Sequence, residues 1–313
     1  MIDLNLIRES RERIGDIVKR TPIMTSETIS NDTGNELFFK CEHLQKTGAF
    51  KIRGASNKVI HEAQKNTDHV IAASSGNHGQ AVAYIANQLG ISSTIVVPED
   101  AVACKKDAIR AYNGNLEFCG TTSEERIERA KQISQDGKAV FIPPYDDPFI
   151  MAGQGTAGLE ILEQVNDIDE VYVPIGGGGL ISGVATAIKE TNPRIRVIGV
   201  EPAIANDTYV SLKEGKRINK GASTTIADGL RTSIPGELTF PIIQRYVDDI
   251  VLVDEESIKQ SFSYVLTRMK QLIEPSGAVS VAGALKRKPE GKRIVALISG
   301  GNIDGDAIPK LLI

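Results

Sequence analysis

The chain has 313 residues, of which 41% are hydrophobic, so it is long enough for two lobes with separate apolar cores. Lys plus Arg number 36 and Asp plus Glu number 40, giving a net charge of -4. This balance does not indicate a basic surface for nucleic acid, so no nucleic-acid partner is expected. No apolar run approaches the length of a membrane span, which indicates a soluble protein with no membrane partner.

The first predicted element is an amphipathic helix within residues 1–19. Its apolar residues near helical spacing are Leu6, Ile7, Ile14, Ile17 and Val18. The segment is charged and is not a signal peptide. The three cysteines are Cys41, Cys104 and Cys119. Their odd number and the lack of metal-ligand spacing predict reduced thiols, and we expect a cytoplasmic location.

A small-residue turn and an aromatic precede a predicted helix at residue 51. Residues 45–54 read Gln-Lys-Thr-Gly-Ala-Phe-Lys-Ile-Arg-Gly. Lys51, placed at the helix start, can act as a covalent amine, although most lysines are solvated surface charges. Two glycine-rich turns further along the chain favour the covalent role.

These two turns each lie between a predicted strand and a predicted helix. Residues 74–80 read Ser-Ser-Gly-Asn-His-Gly-Gln, and residues 176–179 are four glycines. Glycine backbone can approach a ligand closely, and its N–H groups at a helix start can surround a phosphate. The spacing is that of neither a P-loop nor a Rossmann fingerprint. A reactive lysine, a polar turn and a phosphate cradle together suit pyridoxal phosphate, an aldehyde cofactor that carries a phosphate.

Short β-branched runs alternate with helical patterns, which predicts an α/β fold with parallel-rich sheets covered by helices. The predicted strands are 70–73, 93–97, 139–142, 170–174, 197–200, 250–253 and 293–298. Three of them precede residue 146 and the glycine turn follows it. Two sheets are therefore expected rather than one.

Several motifs in order make the chain similar to the fold-type II pyridoxal-phosphate enzymes (the tryptophan synthase β-like fold), in the group of serine racemase and the short serine/threonine dehydratases. The motifs are the three turns above, Gly-Gln-Gly-Thr at 153–156, Glu-Pro-Ser-Gly-Ala at 274–278 and Ser-Gly-Gly-Asn at 299–302. The resemblance runs from about Thr21 to Asn302. It implies a homodimer with a large cofactor-binding domain, 1–68 and 147–313, and a small mobile domain, 69–146.

The resemblance also implies how the cofactor is held. Lys51 would form the Schiff base and later remove the Cα proton, and Phe50 would pack against the cofactor ring. Asn77 would hydrogen-bond the phenolic oxygen, and Ser299 would face the pyridine nitrogen. A serine there holds the ring nearer neutrality than a carboxylate would, which favours prompt loss of a β-substituent. The phosphate would be bound by Gly176, Gly177, Gly178 and Gly179. The ordinary alternatives are a core aromatic for Phe50 and turn-shaping roles for Asn77 and Ser299.

Ser75 bears on the choice of reaction. In serine racemase the matching serine lies opposite the lysine and can reprotonate Cα, but dehydratases of the group can carry the same motif. The first expectation is α,β-elimination of L-threonine or L-serine to a 2-oxo acid and ammonia, and serine racemisation is the second. L-threo-3-hydroxyaspartate dehydratase is a third reaction, for which Arg126 or Arg231 would bind the distal carboxylate. A catalytically silent ligand-binding protein is the alternative from another class, and the intact Lys51, Ser75, glycines and Ser299 argue against it.

The substrate is expected to be a small amino acid whose carboxylate binds at the turn that contains Ser75, Asn77 and His78. Arg126 and Thr232 match family positions near the distal end of the substrate, and Thr232 stands where serine racemase has a serine. Because the sequence ends soon after 299–302, the regulatory domain of the isoleucine-controlled threonine dehydratases is not expected.

Two further sites follow from the resemblance. Glu201, the carbonyl of Ala205 and Asp207 would bind Mg²⁺, or Ca²⁺ or Mn²⁺, as hard oxygen ligands, although two carboxylates at this spacing are more often solvated loop residues. Four residues match an ATP effector site at the dimer interface of mammalian serine racemase: Gln80, Tyr112, Lys270 and Asn302. Neighbouring Glu27 and Thr28 depart from that pattern.

Overall fold

The computed structural model of the protein describes residues 1–99, 103–120, 123–135, 137 and 139–313, and the side chains of 103–105, 123 and 124 lie outside that description. The side chain of Cys104, and with it the expected thiol, therefore lies outside the description, whereas Cys41 and Cys119 are free cysteines. The strands are β1 (Ile23–Thr25), β2 (Glu36–Cys41), β3 (His69–Ala73), β4 (Ser92–Val97), β5 (Asn115–Phe118), β6 (Val140–Phe141), β7 (Glu170–Pro174), β8 (Arg196–Pro202), β9 (Asp249–Val253) and β10 (Arg293–Ile298).

The first α-helix precedes β1, and the others lie between strands, two of them in succession between β8 and β9 and again between β9 and β10. They are α1 (Leu4–Ile14), α2 (Glu27–Thr33), α3 (Lys51–Ala63), α4 (Asn77–Leu89), α5 (Ala103–Ala111), α6 (Ser123–Gln135), α7 (Pro148–Gln164), α8 (Gly179–Thr191), α9 (Asp207–Glu214), α10 (Thr239–Tyr246), α11 (Glu255–Tyr264) and α12 (Pro275–Leu285). A short π-helical turn, Val265–Met269, continues α11. The predicted α1 is present, and its Ile7 and Ile14 are buried. Within the described residues, no helix is both long and apolar enough to cross a membrane.

Among the described residues, four parallel strands form a small sheet in the order β5-β4-β3-β6. Alternate residues of β3 face opposite sides, as the period of a strand requires. Val70 packs in one apolar cluster with Val82 of α4, whereas Ile71 packs in another with Ala130 of α6. The small sheet is therefore covered by helices on both faces.

Six strands of the described chain form a large sheet in the order β1-β2-β10-β7-β8-β9, parallel throughout except for the β1–β2 pair. Val171 and Val173 of β7 pack with α8 residues such as Ile181, whereas Tyr172 faces the cluster that contains Val279 of α12. Burial on both faces explains why these strands are continuous apolar runs in the sequence.

The predicted α/β class with two parallel-rich sheets is confirmed, and all seven predicted strands are present. Sequence patterning missed β1, β2 and β5. In β2 the fully buried Lys40 interrupts the apolar run, and β5 is a short edge strand. The small-sheet strands lie between His69 and Phe141. The exact domain boundaries at 68 and 147 and the mobility of the small domain stay predictions.

Four charged side chains are buried together between β2, α3 and α7. The guanidinium of Arg53 donates to both oxygens of Glu42, at 2.7 and 2.8 Å, and to both oxygens of Glu160, at 2.7 and 2.9 Å. Lys40 Nζ donates to Glu160 at 2.5 Å and to the Thr21 carbonyl at 2.8 Å. Two cations thus balance two carboxylates, and the cluster fixes the first turn of α3 against its neighbours.

Candidate active site

A cavity of about 860 Å³ opens between the two sheets, at the carboxyl ends of β3, β7 and β10. Ligands of open α/β sheets bind at such carboxyl ends. The predicted residues in its wall are Phe50, Lys51, Ser75, Asn77, His78, Arg126, Gly176, Gly177, Gly178, Gly179, Thr232 and Ser299. The fold therefore brings together every residue predicted to contact cofactor or substrate.

Lys51 is the first residue of α3, and its amine lies at the cavity wall. Its Nζ donates a hydrogen bond to the carbonyl of Pro144 at 2.6 Å. Burial lowers the pKa of Lys51 to about 8, and the charge of Glu274 acts in the opposite direction. The backbone N–H of Phe50 donates to the Ser299 carbonyl at 3.0 Å, which ties the lysine turn to the end of β10. The amine is thus fixed in place, and a larger fraction of it is neutral at physiological pH than of an exposed lysine.

Asn77 begins α4, and its side chain is held from both ends. Its Nδ2 donates to the two oxygens of Glu274 at 2.9 and 3.1 Å, and its Oδ1 accepts from Asn302 Nδ2 at 2.8 Å. Because a carboxylate only accepts here, the amide orientation of Asn77 is determined. Sequence reasoning used Glu274 only as part of a motif and missed this contact, since the two residues are 197 positions apart.

His78 is buried, and its Nε2 lies 2.9 Å from the carbonyl of Ile142. Burial, with the nearby charge of Lys51, lowers the pKa of His78 to about 3. The ring is therefore neutral, and its proton is on Nε2 because a carbonyl can only accept. The side chain of His78 carries no positive charge for a substrate carboxylate.

The glycine turn at the start of α8 has a backbone that other residues would not adopt. Gly178 has a φ of +90°, in the left-handed region that favours glycine. A Cβ on Gly177 would lie 2.4 Å from the ring of Tyr145, and one on Gly179 would lie 2.8 Å from Tyr145 Cβ. The turn therefore needs glycine at these positions, and Tyr145, missed by sequence reasoning, packs directly on it.

Ser75, Ser299 and Arg126 line the cavity wall, and the role predicted for each of them stays a prediction. Ser299 is buried, whereas Ser75 and Arg126 are half-buried. Thr232 also lines the cavity, and its hydroxyl donates to the carboxylate of Asp207 at 3.3 Å. That contact links the cavity to the predicted metal site.

The residues predicted to bind a metal lie around the start of α9, behind the cavity wall. Glu201 accepts from the backbone N–H groups of Thr208 and Tyr209, at 3.0 and 2.8 Å. Burial, with the nearby charge of Asp207, raises the pKa of Glu201 to about 8, and burial raises the pKa of Asp207 to about 7. In the described part of the chain no group of three or more His, Cys, Asp or Glu side chains is arranged to hold a metal ion. A cation here would use the two carboxylates, the Ala205 carbonyl and water.

Of the four residues predicted for an effector nucleotide, two line the cavity and two are not among the described residues of its wall. Gln80 and Asn302 line the cavity. Tyr112 instead packs edge-to-face on Tyr84, with ring centroids 5.3 Å apart, and Lys270 Nζ donates to the Thr267 carbonyl. An ATP site built from all four stays a prediction.

Comparisons with known proteins agree with this geometry. A sequence model described as "Pyridoxal-phosphate dependent enzyme" matches residues 14–300. The chain is 44% identical over 307 residues to an L-threonine ammonia-lyase of Geobacter sulfurreducens, covering 97% of this chain and 76% of that protein. It is 40% identical over 301 residues to an L-threo-3-hydroxyaspartate ammonia-lyase of Saccharomyces cerevisiae, covering 95% and 92%.

Comparison with solved structures points to the same family. The solved structure of maize serine racemase superimposes with a TM-score of 0.94 at 41% identity, covering 99% of this chain and 96% of that one. The match includes both sheets, because nearly the whole chain is covered. With a family match over most of its length and relatives above 40% identity, this chain belongs to the pyridoxal-phosphate dependent enzyme family.

Proposed function

We propose that the protein is an ammonia-lyase that converts L-threonine or L-serine to a 2-oxo acid and ammonia. The observation that carries this proposal is the amine of Lys51, which is buried at the cavity wall with a pKa of about 8. A base with a pKa near the working pH is suited to removing the Cα proton of an amino acid. The likeness to an L-threonine ammonia-lyase supports the choice of reaction.

The cavity fits pyridoxal phosphate. The glycine turn offers backbone N–H groups at the start of α8 where side chains would fill the space, which suits the phosphate. Phe50 and Ser299 would contact the ring, and the fixed amide of Asn77 would bind its phenolic oxygen. When bound, the cofactor supplies an electron sink for the negative charge that develops at Cα.

The residues of the chain then divide the work of elimination. Lys51 Nζ would take the proton from Cα, and the C–O bond at Cβ would break as the hydroxyl leaves with a proton as water. The enamine that is released hydrolyses to the 2-oxo acid and ammonia. We assign the substrate carboxylate to backbone N–H groups at the start of α4, because the ring of His78 is neutral. Arg126 and Thr232 would lie towards the substrate side chain.

Serine racemisation is the second candidate because Ser75 lines the same cavity and is half-buried. Its hydroxyl could return a proton to Cα from a face that Lys51 does not serve. Hydroxyaspartate elimination is supported by the yeast relative and by the presence of Arg126 and Arg231 in the cavity wall.

The deciding experiment incubates the purified, cofactor-loaded enzyme with L-threonine, L-serine and L-threo-3-hydroxyaspartate and measures 2-oxo acid and D-serine together. The proposal expects 2-oxo acid to dominate, and dominant D-serine would overturn it. Ser75→Ala should leave elimination largely intact and abolish any D-serine. Ser74→Ala is the matched control, since Ser74 lies in the same turn and its Oγ accepts from the Gly76 N–H at 3.2 Å.

We also propose that Glu201, Asp207 and the Ala205 carbonyl bind Mg²⁺, which would neutralise two buried carboxylates and stabilise the start of α9. Their hard oxygen donors and burial support this assignment. A homodimer, a cytoplasmic location and activation by ATP through Gln80, Tyr112, Lys270 and Asn302 complete the proposal. Light scattering tests the dimer, and turnover with and without Mg-ATP tests the effector.

A further inference from the structure

We infer that Thr239 and Asp146 are positioning residues that set the orientation of the phosphate-binding glycine turn. Neither residue is part of the wall formed by the described residues of the cavity. Thr239 hydrogen-bonds the turn directly, and Asp146 acts on the turn through Thr239. The inference rests on the proposed cofactor role of the turn and is independent of which amino acid is the substrate.

The direct contact is made by the hydroxyl of Thr239. Its Oγ1 donates to the carbonyl of Gly177 at 2.8 Å, and the side chain is fully buried. A Cβ on Gly178 would lie 2.7 Å from the same oxygen, so the hydroxyl lies directly against the turn. The Gly236 N–H also points to the Gly177 carbonyl, at a longer 3.3 Å.

Peptide geometry transmits this contact to the cavity. The peptide between Gly177 and Gly178 is planar and trans, so its C=O and its N–H point in opposite directions. The carbonyl points to the buried Thr239, and the Gly178 N–H therefore points to the other side of the turn, where the glycines line the cavity. With no Cβ and a φ of +90°, Gly178 offers little resistance of its own to a different peptide orientation. The hydrogen bond from Thr239 selects the peptide orientation in which the Gly178 N–H faces a phosphate in the cavity.

Asp146 holds the backbone of Thr239 in place. Its Oδ1 accepts from the backbone N–H groups of Leu238 and Thr239, at 2.8 and 3.2 Å, and its Oδ2 accepts from that of Glu237 at 2.9 Å. These are the N–H groups at the start of α10, where a negative charge is favourable. The neighbouring Tyr145 packs on Gly177 from the cavity side. Two consecutive residues therefore support the turn from its two sides.

The test compares the binding of pyridoxal 5'-phosphate with that of pyridoxal, which lacks the phosphate, by equilibrium absorbance titration of the cofactor-free protein. Thr239→Val keeps the shape of the side chain and removes the donor. We expect it to weaken pyridoxal phosphate about tenfold or more and to change pyridoxal by less than about twofold. Thr239→Ser keeps the donor and should restore the wild-type preference for the phosphate.

Asp146→Asn adds a graded variant, because it keeps an oxygen for two of the three N–H groups. It should give a smaller loss of phosphate preference than Thr239→Val. Thr186→Val is the matched control, since Thr186 is a buried threonine of α8 whose hydroxyl donates to the Ser182 carbonyl at 2.8 Å, away from the turn.

Two results would overturn the inference. If Thr239→Val keeps the wild-type ratio of the two affinities, or loses both affinities equally, the hydroxyl does not orient a phosphate donor. If the wild-type protein itself binds pyridoxal as tightly as pyridoxal phosphate, the glycine turn is not the phosphate site, and the proposed cofactor placement fails as well.

Discussion

Replacing Arg53 with methionine leaves one excess negative charge in the buried cluster described above. The wild-type cluster pairs Arg53 and Lys40 with Glu42 and Glu160, and Arg53 alone provides four of its hydrogen bonds. Removing one partner of a buried ion pair costs about 3–5 kcal/mol, because a charge stays desolvated without compensation. We therefore expect Arg53→Met to lower the free energy of unfolding by about 3–5 kcal/mol at pH 8.

The pH dependence distinguishes lost charge compensation from lost packing. Burial alone would raise the pKa of Glu42, but Arg53 and Lys40 outweigh it and hold that pKa below its usual range. In the wild type this stabilisation is lost only when the pH falls through the low folded pKa, so it is constant between pH 8 and 6. In Arg53→Met the uncompensated carboxylate has a raised pKa, and the folded state binds the extra proton. The stability of the variant should then rise on acidification, by up to about 1.4 kcal/mol per pH unit.

Urea denaturation of the cofactor-saturated proteins at pH 8, 7 and 6 measures both effects. Arg110→Met is the control, since Arg110 pairs with Asp107 at 3.3 Å on the surface, where an ion pair contributes below about 1 kcal/mol. A gap between wild type and Arg53→Met that is the same at all three pH values would refute the electrostatic account. The account would also be refuted if Arg53→Met lost no more free energy of unfolding than Arg110→Met.

Three further outcomes follow from the site. In the cofactor-free protein, trapping of a carbonyl reagent at Lys51 should increase with pH around a midpoint of about 8, and a midpoint near 10.5 would contradict the burial argument. Glu274→Gln removes the charge that raises the pKa of Lys51, so the same assay should show a midpoint at lower pH; an unchanged midpoint would exclude that coupling. Exhaustive chelation should lower the melting temperature of the wild type but not that of Glu201→Gln. An equal shift in both proteins would contradict the proposal that a metal binds at this site.

The features that could be predicted from the sequence are those with local signals. Apolar runs located seven strands, and each of the three turns in the cavity wall lies between a strand and a helix, where its residues are adjacent in the chain. Glu274 and Asn77 could not be paired in advance because only the folded sheets bring their side chains together. The strand β2 was missed for a related reason: the charge of Lys40 is acceptable in the core because Glu42 and Glu160 compensate it, and Glu160 lies 120 positions away in α7.

The hydrogen bond from Lys51 to the Pro144 carbonyl has a consequence for the newly made protein. Because its pKa is lowered to about 8, the Lys51 amine has a larger neutral fraction than a surface lysine, and the neutral amine is the form that reacts with the small aldehydes of metabolism. Here an incoming aldehyde must first replace a contact worth about 0.5–1.5 kcal/mol. A molecule whose phosphate also binds the glycine turn would offset that loss, whereas a simple sugar or ketone has no phosphate to make the compensating contact. The same carbonyl that holds the lysine in place thus discriminates, by up to about tenfold, against accidental modification before the correct partner arrives.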